Sequence, residues 1–388
     1  MANYLTTDTE LTNIANAIRN KMNKSAYAII SVTYPSKSTC TCTKGSTVLT
    51  AENNNGKYLF FIPEAGEWTV NCTDGIDSKS KVIEVSKGMA VEVQLNYLPA
   101  PGDILDNYSW RDISKISQAG VGDEYFDIGD CKAVVLNGNI GSYLTLNNTT
   151  LYVFILDFNH PINKTTADNN IIWGGFKTAL TGGKDVALCD SGYDSYHTSG
   201  LYFNLNHKQV DTAVYNSNYG GWKGCDARYD ILGATSTQPS LYNTTSKSSA
   251  TIGYDATQAT IDTSIANTLI AALPSELRAA LRLWNRYIDD EGFWSDTDAN
   301  CSTATVDAIS LLAEFEIFGS RTKANQYEQY HQKQMAYYSA GNSKRKYKHN
   351  NTGTACNWWE ASATYNSADS FCIVGREISA SYNISKIS

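Results

Sequence analysis

Two groups of acidic side chains are the first in this sequence with the means to do chemistry. Asp289, Asp290 and Glu291 stand together in IDDEG, and Glu314 and Glu316 flank Phe315 in an apolar run. Two carboxylates facing each other across a cleft can act as acid and base in glycoside hydrolysis. Adjacent residues diverge from the chain, so IDDEG reads instead as a solvated helix end. On a strand, Glu314 and Glu316 would share one face, where a buried carboxylate needs a partner. Arg228 and Arg278 are the candidate partners, which makes these structural ion pairs before catalytic groups. Five histidines (His160, His197, His207, His331 and His349) show no metal-pair spacing, and each reads as a surface or capped residue. The nine cysteines (Cys40, Cys42, Cys72, Cys131, Cys189, Cys225, Cys301, Cys356 and Cys372) form no CxxC and no zinc quartet. Most read as buried thiols. There is no GxSxG, HExxH or phosphate loop. The expectation is no catalytic residue, no metal and no cofactor.

Composition narrows the partners. The 388 residues carry a net charge of −8, with 42% hydrophobic and 18% charged residues, a globular balance. A nucleic-acid groove needs clustered Lys and Arg, and the one basic island, Lys344 to His349, reads as a solvated loop. No apolar run reaches the roughly 18–20 residues of a membrane span. The opening MANYLTTDTE has neither a basic nor an apolar signal region, so synthesis in a cytoplasm without a signal peptide is expected. Tyr is abundant at 25 residues and Trp reaches 8, and both supply large, rigid contact area.

The elements that would position these side chains follow from periodicity. Residues 7–23 predict a helix: Thr7 and Glu10 have capping-box spacing, and Leu11, Ile14, Ile18 and Met22 fall on one face. Residues 26–98 read as all-β. GKYLFFIPEAGEWTVNCTDG gives two strands joined by Pro63–Gly66, and SKVIEVSKGMAVEVQLNYL gives two more around Lys87-Gly88. Strands this short at this spacing predict a small sandwich. LPAPGDIL, residues 98–105, is the expected domain boundary. Beyond it, CKAVVLNG and TTLYVFILDF read as strands and PSELRAALRLWNRYI, about 274–288, as a helix begun by Pro274. TVDAISLLAEFEIFG fits either a strand or a helix. GGWKGCDARYDILG joins a glycine pair to Trp222 and Arg228 and reads as a tightly packed, fold-organising loop. The fold class expected is α+β.

Several stretches line up in order with one family: SWRDISKISQAGVG, FDIGDCKAVVLNG, YVFILDFNH, GGWKGCDARYDIL, LPSELRAAL, VDAISLLAEFEIFG, and NWWEASA followed by FCIV. The chain thereby resembles the C-terminal domains of tail-fibre and receptor-binding proteins from phages of gut Firmicutes, and is similar to the variable proteins of diversity-generating retroelements. The segment GKYLFFIPEAGEWTV resembles Ig-like modules of surface and virion proteins, and TDTELTNIANAIRNK resembles a helical segment of phage tail proteins. The resemblance implies a helical attachment segment (1–25), an Ig-like β-sandwich (26–98) and a C-type-lectin-like domain (99–388), related in architecture to formylglycine-generating enzymes. It also implies a variable C-terminal region at 357–388.

Trp358, Trp359, Glu360 and Ser362 match the opening WWERSP-type motif of that region, and Phe371 and Cys372 match its FC. Ala361 and Ala363 stand where Arg and Pro are expected, a departure that would loosen a loop after the tryptophan pair. The closing GVAPxF strand has no counterpart before Ser388. The resemblance makes Trp358, Trp359, Phe371 and Cys372 scaffold, with Trp222 and Arg228 behind them. It makes Tyr365, Asn366, Ser367, Asp369, Ser370, Ile373, Gly375, Arg376, Glu377, Ser379, Ser381, Tyr382, Asn383, Ser385 and Lys386 the ligand-binding face. Tyr, Ser, Asn and Asp suit that role physically, through rigid amphipathic area and adaptable hydrogen bonds. The function implied is a non-enzymatic adhesin of a virion, contacting a host-surface protein or glycan and other phage tail proteins. A homo-oligomer is implied, with a trimer favoured; membrane insertion and nucleic-acid binding are not. The alternatives are an oxidase of the formylglycine-generating kind, with Cys356 and Cys372 as its nearest reactive pair, a depolymerase resting on the acidic residues, and a purely structural tail protein.

Overall fold

The computed structural model describes residues 28–34, 38–54, 56–73, 78–95, 98–99, 101–141, 144–188, 218, 220–225, 227–235, 240–242, 251–253, 261–292, 296–365, 371–375 and 381–383. The helix expected at 7–23 lies outside them. The chain divides into two compact units, Met1–Ala100 and Pro101–Ser388, with the division inside the LPAPGDIL stretch. Strands in several sheets dominate and the helices are short, so the chain is α+β or mostly β.

Unit 1 contains eight described strands: β1 (Ala28–Thr33), β2 (Thr39–Lys44), β3 (Thr47–Thr50), β4 (Glu52–Asn54), β5 (Lys57–Ile62), β6 (Gly66–Thr73), β7 (Ser78–Val85) and β8 (Ala90–Gln94). They form two sheets, ordered β4-β5-β1-β8 and β3-β2-β6-β7. Strict alternation in β1, β5 and β6 puts Ile30, Val32, Phe60, Ile62, Trp68 and Val70 into one core shared by both sheets. The turn from Pro63 to Gly66 carries the chain from one sheet to the other, and so does the turn at Lys87-Gly88. Cys40 and Cys72 sit directly opposite each other on β2 and β6 and are joined by a disulfide. Nothing in the cysteine spacing marked this pair, because it is strand pairing that brings together residues 32 apart.

Unit 2 is built on a six-stranded sheet ordered β18-β17-β12-β11-β10-β9. Its strands are β9 (Cys131–Ile140), β10 (Leu144–Phe158), β11 (Ile171–Lys177), β12 (Asp185–Ala187), β17 (Lys346–Lys348) and β18 (Asn351–Cys356). Helix α1 (Trp110–Ala119) is capped by Ser109, whose hydroxyl accepts from the Asp112 amide, and ends at Gly120 in the left-handed region. The basic island is not a solvated loop. Lys346–Lys348 is a strand inside the sheet, with Lys346 buried.

The long helix expected at 274–288 is also corrected. One turn, α3 (Leu269–Ala272), is followed by α4 (Ser275–Ala280), which stops at Leu281 in extended backbone. Trp284–Arg286 then forms strand β15, antiparallel to β16 (Thr305–Asp307). Helix propensity is worth only tenths of a kcal/mol per residue. The β15–β16 ladder and the buried ion pair of Arg286 outweigh it. The ambiguous run divides between both forms: β16, then helix α5 (Glu314–Phe318).

Candidate functional site

Three strands close the described chain: β19 (Trp358–Ala363), β20 (Phe371–Val374) and β21 (Ser381–Asn383), in that order in one sheet. Trp358 pairs with Val374, Trp359 with Ile373 and Ala363 with Phe371, while Ile373 pairs onward with Tyr382. Glu360, Ala361, Ser362, Ala363 and Thr364 are all fully buried, so β19 is covered on both faces. Ala361 and Ala363 pack with Phe371 against Trp222. The loosened loop expected there is absent, because small side chains let the strand run on into the core.

The other face of β19 rests on buried acids. The Ser362 hydroxyl accepts from the Glu314 amide and donates to Glu328 Oε2 at 2.7 Å. Glu328 Oε1 accepts from the Asp289 amide at 3.0 Å. Asp289 Oδ1 in turn accepts from the amides of Glu291 and Gly292. Burial pushes the Asp289 carboxyl up to about 7 and that of Glu328 up to about 8, each partly offset by its hydrogen bonds. Asp289 is therefore not on a solvated helix end. Glu314 accepts from the amides of Lys323 and Ala324, and Glu316 is gripped by both terminal nitrogens of Arg286. Neither acid pairs with Arg228 or Arg278 as expected, because both sit on a helix turn rather than a strand.

Trp222 and Arg228 converge on a different acid. Arg228 Nε lies 2.6 Å from Asp307 Oδ1, and Trp222 Nε1 donates to Asp307 Oδ2 at 2.8 Å. Thr305 adds a third hydrogen bond, to Oδ2. All three of Trp222, Arg228 and Asp307 are fully buried. Two glycines make the packing possible. A Cβ at Gly221 (φ +51°) would come 2.0 Å from the Asp289 carbonyl, and one at Gly292 (φ +64°) 2.0 Å from that of Asn218. The close approach is thus to the Asp289 backbone, whose carbonyl also accepts from the Trp222 amide.

Of the expected contact residues, Tyr365 is half-buried, with its amide bonded to the Lys323 carbonyl and the Arg321 guanidinium 4.1 Å over its ring. Ile373, Ser381, Tyr382 and Asn383 occupy ladder positions of β20 and β21. Gly375 is buried directly after β20, which removes it from an exposed face. Asn366, Ser367, Asp369, Ser370, Arg376, Glu377, Ser379, Ser385 and Lys386 lie outside the described residues. Phe371 and Cys372 are fully buried, and Trp358 and Trp359 are partly so. The Trp358 indole donates to the Lys344 carbonyl.

Sequence reasoning passed over Asp307, Arg286 and Glu328. Their signal was faint, because each lies far in the chain from the partner that gives it its role.

Burial, reinforced by Glu360, Glu314 and Glu328, holds the Cys372 thiol well above its ordinary value. Cys356 is buried, with its Sγ 3.8 Å from the Lys346 carbonyl. A reactive cysteine works as a thiolate, which an acidic, dry setting disfavours. Among the described residues no three His, Cys, Asp or Glu side chains converge as a metal site requires. The chain matches no protein-family model and no curated protein.

Proposed function

We propose that this chain is a non-enzymatic receptor-binding protein of a phage tail or prophage. Its last domain is C-type-lectin-like and binds a host-surface protein or glycan through residues of 365–386 other than the buried Phe371, Cys372, Val374 and Gly375. An Ig-like module and an N-terminal attachment helix precede it, and trimerisation multiplies weak single-site affinity. The observation that carries this reading is the anchoring of β20. Its Phe371, Cys372 and Val374 are fully buried, and it is paired on both sides. The segments 366–370 and 376–380, rich in Asn, Ser, Asp, Arg and Glu, are tied to the two ends of that strand. Residues presented from a fixed frame lose less entropy on binding than residues on a free tail. The protonated setting of Cys372 speaks against a copper oxidase on the same fold.

The test is a binding titration of the purified, fluorescently labelled chain on cells of a panel of gut Firmicutes. Saturable binding to a subset of strains, competed by unlabelled chain, is expected. Absence of saturable binding across the panel would count for a purely structural tail protein.

A further inference from the structure

Lys346 is a charged side chain that is almost wholly buried. Only 7% of the residue is exposed, and its ammonium has neither a hydrogen-bond acceptor nor a carboxylate partner among the described residues. The Trp358 ring lies 4.9 Å away and the Phe154 ring 5.8 Å. A Cβ on Gly175 would come 3.4 Å from Nζ, so the glycine leaves the ammonium its space. The acid whose field reaches it, Asp185, is already engaged by Lys177 at 3.4 Å and by the Tyr337 hydroxyl. Burial lowers the pKa of the Lys346 amine, Lys177 lowers it further, and Asp185 and Cys356 oppose the shift.

Lys346 and Trp358 form part of the wall of a cavity of about 430 Å³ within unit 2. That volume is in the range of small-molecule pockets. The remaining walls are mainly apolar, with Ile140, Leu156, Trp173, Leu277, Leu311 and Trp359 among them, and Ser114, Asn170 and Ser310 add polar atoms. The lining extends to Arg282, which is exposed and paired with Asp168.

We propose that this cavity binds a carboxylate with an apolar tail of medium length, its head group paired with Lys346. An ammonium on a largely buried side chain with only aromatic rings beside it is costly, and an anion relieves that cost. Lys346 is the one buried lysine or arginine of the lining, and a single buried cation suits a singly charged head group better than a phosphate, which is normally held by several donors. The apolar walls then take the tail. This proposal does not rest on the adhesive reading.

The test is calorimetric titration of the full chain with decanoate, using 1-decanol as the uncharged control and Lys346→Met as the variant. Decanoate is expected to bind one per chain and at least about tenfold more weakly to Lys346→Met, while decanol binds both proteins alike. Wild-type chain should take up a proton on binding decanoate at alkaline pH, read from the difference between buffers of unlike ionisation heat. This second measurement needs no variant and decides the matter if Lys346→Met does not fold. Three results would each overturn the proposal: no decanoate binding, equal affinity in Lys346→Met, or binding without proton uptake.

Discussion

Unit 1 keeps Ile30, Phe60, Trp68 and Val70 in a dry core crossed by one disulfide, and Ser38 alone is a buried polar residue among those described there. Under the C-terminal sheet of unit 2, Arg228, Asp289, Asp307, Glu314, Glu316, Glu328 and Glu360 are all buried. Long alternating strands can close a core with apolar contacts. Helices of four to six residues and three-residue strands cannot, because each leaves many backbone groups at its ends. In unit 2, buried carboxylates accept those amides, as Glu314 does from Lys323 and Ala324. Charge there replaces ladder length as the organiser of the chain.

The contrast breaks most sharply at Asp307. Asp307→Ala removes the carboxylate that a buried guanidinium and an indole N–H share, and should cost unit 2 about 3–5 kcal/mol. Calorimetry should show its unfolding transition lost or far lower, with that of unit 1 unmoved. A single shared transition would refute independent units. Next comes Trp68→Ala, which removes the largest fully buried side chain of unit 1 and should cost about 3–5 kcal/mol there alone. Reduction of Cys40–Cys72 should lower the unit 1 transition by about 2–4 kcal/mol and leave unit 2 untouched.

A separate effect is set by pH. Asp289 and Glu328 have folded-state values of about 7 and about 8, above their ordinary 3.8 and 4.5. Folding therefore favours their protonated forms. The stability they contribute is complete below pH about 4 and is lost as pH rises through about 7 to 8. Unit 2 should melt progressively lower across that window, and Glu328→Gln should flatten the slope. An unchanged slope in Glu328→Gln would assign the effect elsewhere. The least change belongs to Glu64→Ala, which removes an exposed partner of Lys44 and should stay within about 1 kcal/mol.

The same contrast explains what was legible in the sequence. In unit 1, period two marks β1, β5 and β6 directly, because each strand has one core face. The disulfide was not legible, since register sets it and register is not a local signal. In unit 2, the apolar positions of PSELRAALRLWNRYI suit a helix equally well. The turn into strand at Leu281 depends on Thr305–Asp307 and Glu316, all distant in the chain. The glycine-rich loop announced tight packing around Trp222 and Arg228, yet nothing local pointed to Asp307. Lys346 was hidden by its basic neighbours, which disguise a buried strand as a surface loop.

The central claim is that an anchored sheet presents an exchangeable contact face. The most direct measurement replaces Asn366, Ser367, Asp369, Ser370, Arg376, Glu377 and Ser379 together with Ala, then follows cell adsorption beside the two unfolding transitions. Adsorption lost with both transitions unchanged is the predicted result. Adsorption retained at wild-type level by the well-folded variant would contradict the claim and return these residues to a structural role.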